Sequence, residues 1–296
     1  GDAFVIIPQV KNGILNIDKP QGITSHDVVD VIKKLFPNMK VGHTGTLDPL
    51  ATGVLPICIG EATKLTNQII SENKTYKVKM LLGVETDTYD VTGKIMFAST
   101  VNKDEIYIKE RIKRFIGIQE QIPPMYSAIR VNGKRAYSYA REGKNIKLLP
   151  RKIEIYSIDN IKVDMERREV EFVVQCSKGT YIRSLVNDIG KKIGCGAIMI
   201  ELRRLKTGNF AIEESIPLYD FLKLEYEEML DRIISIEDYY KEAKRINLSK
   251  EDFIKFLNGV QFELDTKEKI VTIYFNGAFK GLGIVEDNIM KRFIVQ

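Results

Sequence analysis

With 296 residues, 44% of them hydrophobic and 29% charged, the chain can bury a large core and is expected to form two soluble domains of unequal size. No stretch approaches the ~20 apolar residues that a membrane-spanning helix needs and no signal peptide is visible, so membrane and secreted proteins are set aside. Cys58, Cys176 and Cys195 are far apart and odd in number, and only His26 and His43 accompany them, so the residues argue for reduced thiols in a cytoplasmic protein and against a disulfide framework or a zinc site.

Gly1 stands where a methionine is usual, which points to a processed start, and residues 1–11 are set apart from the fold. Residues 13–17 read as a short apolar strand, ended by the turn Asp18-Lys19-Pro20-Gln21-Gly22. Thr24 or Ser25 then caps a helix with Val28, Val29, Ile32 and Leu35 at helical spacing, closed by Pro37. Residues 41–55 hold three glycines, a proline and three threonines, which rules out a regular helix. The apolar run 54–59 that follows reads as a buried strand, although Pro56 demands an edge or an irregularity there. Asp48 thus sits on a loop between Leu47 and Pro49. Its plain reading is a turn hydrogen-bonded to its neighbours; its other reading is a reactive carboxylate, with glycines on both sides that let a ligand approach the backbone.

Residues 61–68 look helical, and 74–83 read as a strand with Tyr76, Val78 and Met80 alternating against Lys77 and Lys79. The polar loop 83–93 has acids without calcium-loop spacing. An amphipathic helix is predicted over 104–117, with Ile106, Ile108, Ile112 and Phe115 as its apolar side. Asn132-Gly133 marks a tight turn. Residues 152–163 and 170–176 read as an antiparallel pair, then a strand-to-helix junction at 176–185 opens a helix through Ile193, and 197–205 form an apolar strand. From Tyr219 to Ala243 the chain is acidic and helical. Ser249 caps a helix over Phe253, Phe256 and Leu257 that stops at Asn258-Gly259, and strands at 270–275 and 282–285 flank Asn276-Gly277.

Charge is unevenly placed. From Arg130 to Lys152 there are eight basic residues (Arg130, Lys134, Arg135, Arg141, Lys144, Lys147, Arg151 and Lys152) and one acid, Glu142, a local net of +7 that leaves −2 for the rest of the chain. A solvated surface hairpin is the plain reading. Tyr126, Tyr137 and Tyr139 accompany the charge, which favours an arm that binds a polyanion.

The string Gly-His-Thr-Gly-Thr-Leu-Asp-Pro-Leu-Ala-Thr-Gly at 42–53 closely resembles the catalytic-aspartate motif of the tRNA pseudouridine-55 synthases, the pseudouridine synthase B family. Asp18–Ser25, the Lys-x-Tyr string ending at Tyr76, the 83–93 loop, 123–137 and Gly179-Thr180-Tyr181-Ile182-Arg183 match the same family, so the resemblance runs from Gly13 to about Ile216. It implies an α+β fold with a mixed, mainly antiparallel sheet over residues 12–240, a basic RNA-gripping insertion at about 124–152, and a small β-barrel-like RNA-binding domain of PUA type at 241–296. The activity implied is isomerisation of uridine-55 in the T-arm loop of tRNA, in the cytoplasm, by a monomer without cofactor or metal.

Residue by residue, the resemblance makes Asp48 the catalytic carboxylate and Arg183 its charge partner. A guanidinium alongside favours the ionised form of a carboxylate; the plain alternative for Arg183 is phosphate binding at a helix start. Tyr76 would stack on the uracil, Tyr181 and Leu202 would enclose it, and His43 would pack where the flipped nucleotide leaves the RNA rather than act as a base. Lys19, Arg130, Lys134, Arg135, Arg141 and Lys144 are the candidates for contact with the RNA backbone, Lys19 with a structural role behind the Asp48 loop as its other reading. Two competitors stay open. A non-catalytic RNA-binding or tRNA-folding protein on the same scaffold is argued against by the intact Asp48, Tyr76 and Arg183. A nucleosidase needs a second carboxylate at a workable separation, and no motif supplies one.

Overall fold

The computed structural model describes residues 10–125 and 148–296, and between them the backbone of Arg130–Val131 and Lys134–Arg135. The side chains of Arg130, Lys134 and Arg135, and all of Arg141 and Lys144, lie outside the described residues. The two described dipeptides pair antiparallel on either side of the Asn132-Gly133 step.

The fold is α+β. Among the described residues an eleven-stranded mixed sheet forms its centre. Eight of these strands position the site: β1 (Gly13–Lys19), β2 (Val41–His43), β3 (Thr52–Ile59), β4 (Lys74–Leu82), β5 (Gly117–Gln121), β6 (Arg151–Asp164), β7 (Glu169–Cys176) and β8 (Ala197–Thr207). Their order is β1-β3-β8-β4-β7-β6-β5, with β2 on the free part of β3. Every junction in this order is antiparallel except one. β3 and β8 run parallel and pair only at Arg203–Thr52 and Arg204–Gly53. A pairing this short leaves the sheet open beyond it, and the Asp48 loop enters β3 at that opening. Gly53 is needed for the contact itself: its φ is +112°, and a Cβ there would sit 2.2 Å from the Arg204 carbonyl oxygen.

Pro56 sits inside β3 where the strand is locally unpaired on one side. Its carbonyl accepts from Thr44 Oγ1 at 2.9 Å, away from β1, and the N of a strand residue points the same way as its carbonyl. On that side β2 stops at Ile57 and β8 begins only at Gly53, so no partner strand asks Pro56 for an N–H.

The helices follow their caps. Thr24 caps α1 (Ser25–Leu35) in a reciprocal capping box with Asp27, which buries Val28, Val29 and Ile32. The helix predicted over 104–117 is shorter than expected: Asp104 caps α2 (Glu105–Lys113). Ile108 and Ile112, four residues apart, share its buried stripe, whereas Ile106 falls on the opposite side and is exposed. α3 (Ile182–Ile193) buries Leu185, Val186, Ile189 and Ile193 and ends at Gly194, φ +98°. The loop expected at 83–93 contributes a strand, Val84–Thr86, that pairs with Ile95–Ala98. The helical expectation for 219–243 holds only as three short pieces, Leu218–Phe221, Tyr226–Asp231 and Ile236–Tyr239, the last restarted by its own cap at Ser235.

A second sheet closes the chain: β9 (Lys244–Asn247), β10 (Ile270–Phe275), β11 (Ala278–Glu286) and β12 (Ile289–Val295), in the order β9-β10-β11-β12 with Phe262–Glu263 outermost. It curls around α4 (Lys250–Leu257), and Phe256, Val271, Ile273, Val285 and Met290 form its core. Its outer side is not free. Leu282 and Ile294 are buried together with Ile14, Cys58, Leu65 and Ile69 of the first unit.

Candidate active site

The Asp48 loop has no regular structure, so its shape comes from specific bonds. Ser25, the first residue of α1, is buried. Its Oγ accepts from Leu47 N at 2.8 Å and donates to Leu47 O at 3.2 Å. Gly22 N donates to Pro49 O at 2.8 Å, and Ala51 N closes the turn on Asp48 O at 2.9 Å. Leu47 and Ala51 are buried in the core on either side. The Asp48 side chain is left as the group that points out, 46% exposed.

Arg183 meets it from the first turn of α3. Its Nη2 lies 3.5 Å from Asp48 Oδ2, and the guanidinium is only 11% exposed. The same guanidinium stands 3.8 Å from Asp90 Oδ2 and donates to Thr88 O at 3.4 Å. Asp90 is itself buried and oriented: its Oδ1 accepts from Thr88 Oγ1 at 2.8 Å, from Thr92 N at 2.9 Å and from the Thr92 hydroxyl. Calcium-loop spacing, the pattern sought in that loop, does not single out Asp90. A usable signal is present there all the same, an acid with a threonine two residues to either side, each able to donate to it.

The α3 end is held from β5. Gln121 Oε1 accepts from Tyr181 N at 2.7 Å, and Ser184 Oγ donates to Ile122 O at 2.7 Å. Gln121, unlike Asp90, carries no sequence signal, since only the fold brings it to a position 60 residues away.

Asp48 and Arg183 line one cavity of about 450 Å³ with Tyr76, Tyr181, Leu202 and Arg204. Tyr76, on the inner face of β4, is buried, and burial pushes its hydroxyl above the usual tyrosine range. Lys74 shares the wall, and its Nζ donates to the carbonyl of Ile70, the last residue of a short helix (Thr66–Ile70), and to that of Glu72 just beyond it. Burial pulls its pKa down to about 8. Five of the six residues expected at the substrate, Asp48, Tyr76, Tyr181, Arg183 and Leu202, are therefore together. His43 stands apart on β2, opposite Ile57. Its half-buried ring is held toward the neutral form by desolvation first, then by the charges of His26 and Arg204.

Lys19 corrects the expectation of an RNA contact. It is 0% exposed, and its Nζ donates to Pro20 O at 2.8 Å and Ile23 O at 2.7 Å. Burial lowers its pKa to about 8, against the raising influence of Asp48. A lysine wholly inside cannot reach a phosphate; it braces the turn whose Gly22 N–H holds Pro49. Among the described residues, no three His, Cys, Asp or Glu side chains group as metal ligands, and no helix is long and apolar enough to cross a membrane.

Residues 33–182 match the N-terminal domain of TruB family pseudouridylate synthases, and residues 183–238 match the C-terminal domain of tRNA pseudouridylate synthase B. The tRNA pseudouridine synthase B of Clostridium kluyveri is 44% identical over 288 residues, 93% of this chain and 96% of that protein. That of Clostridium tetani is 48% identical over 282 residues, 92% and 95% of the two. Among solved structures, a Cbf5-Nop10-Gar1 complex aligns with a TM-score of 0.68 at 28% identity, covering 92% of this chain and 78% of that one. An H/ACA RNP bound to a substrate RNA containing 2′-deoxyuridine aligns with a TM-score of 0.67 at 27% identity, covering 92% and 77%.

Proposed function

The chain belongs to the TruB family of pseudouridylate synthases, and from that premise we propose that it isomerises uridine-55 in the T-arm loop of tRNA to pseudouridine, with Asp48 as its single catalytic carboxylate. The reaction breaks the bond between uracil N1 and ribose C1′, turns the base, and joins C1′ to carbon 5. The hydrogen on carbon 5 leaves as a proton, and N1 gains one. It consumes no redox equivalent and requires only a nucleophile or base and a pocket that retains the detached uracil.

One observation carries the reading: Arg183 Nη2 lies 3.5 Å from Asp48 Oδ2, in a cavity that Tyr76 also lines. The guanidinium favours the ionised, reactive carboxylate. A base seated against the Tyr76 ring would gain ~1–3 kcal/mol of stacking, with Tyr181 and Leu202 enclosing it. The target uridine must leave its folded loop to reach this cavity, at a cost of a few kcal/mol. His43, off the cavity wall, is assigned to the extruded nucleotide's exit from the RNA. The basic stretch from Arg130 to Lys152, with Arg130, Lys134, Arg135, Arg141 and Lys144, is assigned to the RNA backbone, and residues 241–296 to a PUA-like module that extends the footprint over the rest of the tRNA. The enzyme is taken to act as a cytoplasmic monomer; the three cysteines, all free and buried, suit a reducing compartment.

Incubation with a T-arm stem-loop followed by carbodiimide mapping tests the reading. A stop at the position of uridine-55 is the expected result. Release of free uracil would identify a nucleosidase, and tight binding without either product would identify a tRNA-folding protein.

A further inference from the structure

The Asp48 loop is held on one side by Ser25 and Gly22, and Tyr76 is fixed in β4, on the other side of the cavity's arginine-bearing strand. One side chain touches both. Arg204 on β8 is 1% exposed, and among the described residues it forms no ion pair with a carboxylate. Its Nε donates to Val54 O on β3 at 2.7 Å, and its Nη2 donates to Gly45 O at 3.3 Å, three residues ahead of Asp48. Its guanidinium also interacts with the Tyr76 hydroxyl. Register explains how one residue reaches so far: Arg204 lies opposite Gly53 on one side and opposite Tyr76 on the other. Gly45, φ +94°, adopts the left-handed conformation that presents its carbonyl there, and a Cβ on it would approach Arg204 Nη1 to 3.7 Å.

We propose that Arg204 is a positioning residue for the isomerisation, whose guanidinium sets the spacing between the Tyr76 ring and the loop that carries Asp48. The proposal rests on the function given above. Stability is a poor reason for this residue. A charge taken out of water without a carboxylate partner is unfavourable, and well-packed apolar side chains commonly serve a core as well or better. Geometry is a better reason. A planar fork of fixed donors can hold a β3 carbonyl, a loop carbonyl and a phenol in one arrangement, which an ammonium on a flexible stem cannot. Rate is sensitive to such spacing, because a misplacement of about 1 Å can cost ~100-fold. The carboxylate must reach the sugar or the base while the base lies on Tyr76, so both partners have to be located against each other.

The test compares Arg204→Lys and Arg204→Ala with the wild type in three measurements: melting temperature, tRNA affinity, and single-turnover release of tritium from tRNA labelled at uridine carbon 5. Both variants are expected to bind tRNA within threefold of wild type while the single-turnover rate falls at least tenfold, more for Ala than for Lys. A folded Lys variant that reacts at the wild-type rate would overturn the proposal. So would an affinity loss equal to the rate loss, or failure of both variants to fold, since Arg204 would then serve RNA binding or the fold alone. Absence of tritium release from the wild type would overturn the proposed function itself, which keeps the two failures apart.

Discussion

Asp48→Asn keeps the shape of the side chain and removes its charge, which makes it the sharpest test of the assigned chemistry. The structural cost can be bounded from the site. The ion pair it breaks is 3.5 Å long, and the Asp48 side chain is 46% exposed, so the pair belongs with the solvent-screened class worth at most about 1 kcal/mol. Arg183 is not stranded by the change, because it keeps Thr88 O at 3.4 Å and Asp90 at 3.8 Å. The loop bonds to Ser25, Gly22 and Arg204 involve backbone atoms that the substitution leaves alone. Melting is therefore expected to move by no more than ~2–4 °C. Removing a negative charge that faces a polyanion should leave tRNA affinity within tenfold of wild type, or ~1.4 kcal/mol, or tighten it. Turnover should vanish, since an amide is a poor nucleophile and a poor base. Tritium release and carbodiimide mapping read the rate, with mass spectrometry to confirm that the asparagine has not reverted by deamidation. Pseudouridine formed at near wild-type rate by pure Asp48→Asn would remove Asp48 from the catalytic role and the mechanism with it.

Ser25→Ala leaves Leu47 N and O unpaired in a buried setting, for which a loss of about 1–3 kcal/mol in denaturant unfolding is expected together with slower turnover; unchanged stability would show that the loop does not depend on this clamp. Changing Lys134, Arg135 and Lys144 together to Ala should lower the slope of log K against log salt by roughly 0.7–0.9 for each phosphate that is no longer neutralised, and an unchanged slope would return them to a solvated surface. Truncation after residue 240 should preserve turnover of a T-arm hairpin and weaken binding of whole tRNA, but at reduced melting temperature, because Ile14, Cys58 and Ile69 lose the cover of Leu282 and Ile294. A folded truncation inactive on the hairpin would refute the footprint role. For His43 the sign follows from burial: the native ring binds its proton less readily than the unfolded one, so its contribution to stability is present above about pH 6.5 and declines as pH falls through the lowered native value. His43→Gln should flatten the fall in melting temperature below pH 6.5, and an unchanged profile would assign that fall to other groups.

Much of this was legible in the amino-acid order because it is written locally. Period-two alternation placed Tyr76, Val78 and Met80 on the buried side of β4, and the Thr24–Asp27 spacing marked the start of α1. Glycine and proline delimited the Asp48 loop, and the odd composition of that loop carried the family resemblance. Other features depend on residues far apart in the chain, for which local pattern holds no record. Lys19 reads from the sequence either as a phosphate contact or as a brace behind the Asp48 loop, and only the packing of that turn decides between them, by putting its ammonium wholly inside. Asp90 and Gln121 acquire their roles only when β5, the 83–93 loop and α3 converge on Arg183 and Tyr181. The two-residue parallel junction of β3 with β8 is likewise a matter of sheet order, and through it Arg204 reaches Gly45 and Tyr76 at once. Sequence thus determined which side chains were available for chemistry and which segments would form regular structure, because both follow from side-chain type and near neighbours. Tertiary structure decided which of those side chains meet, since that depends on strand order and on what burial does to a charge.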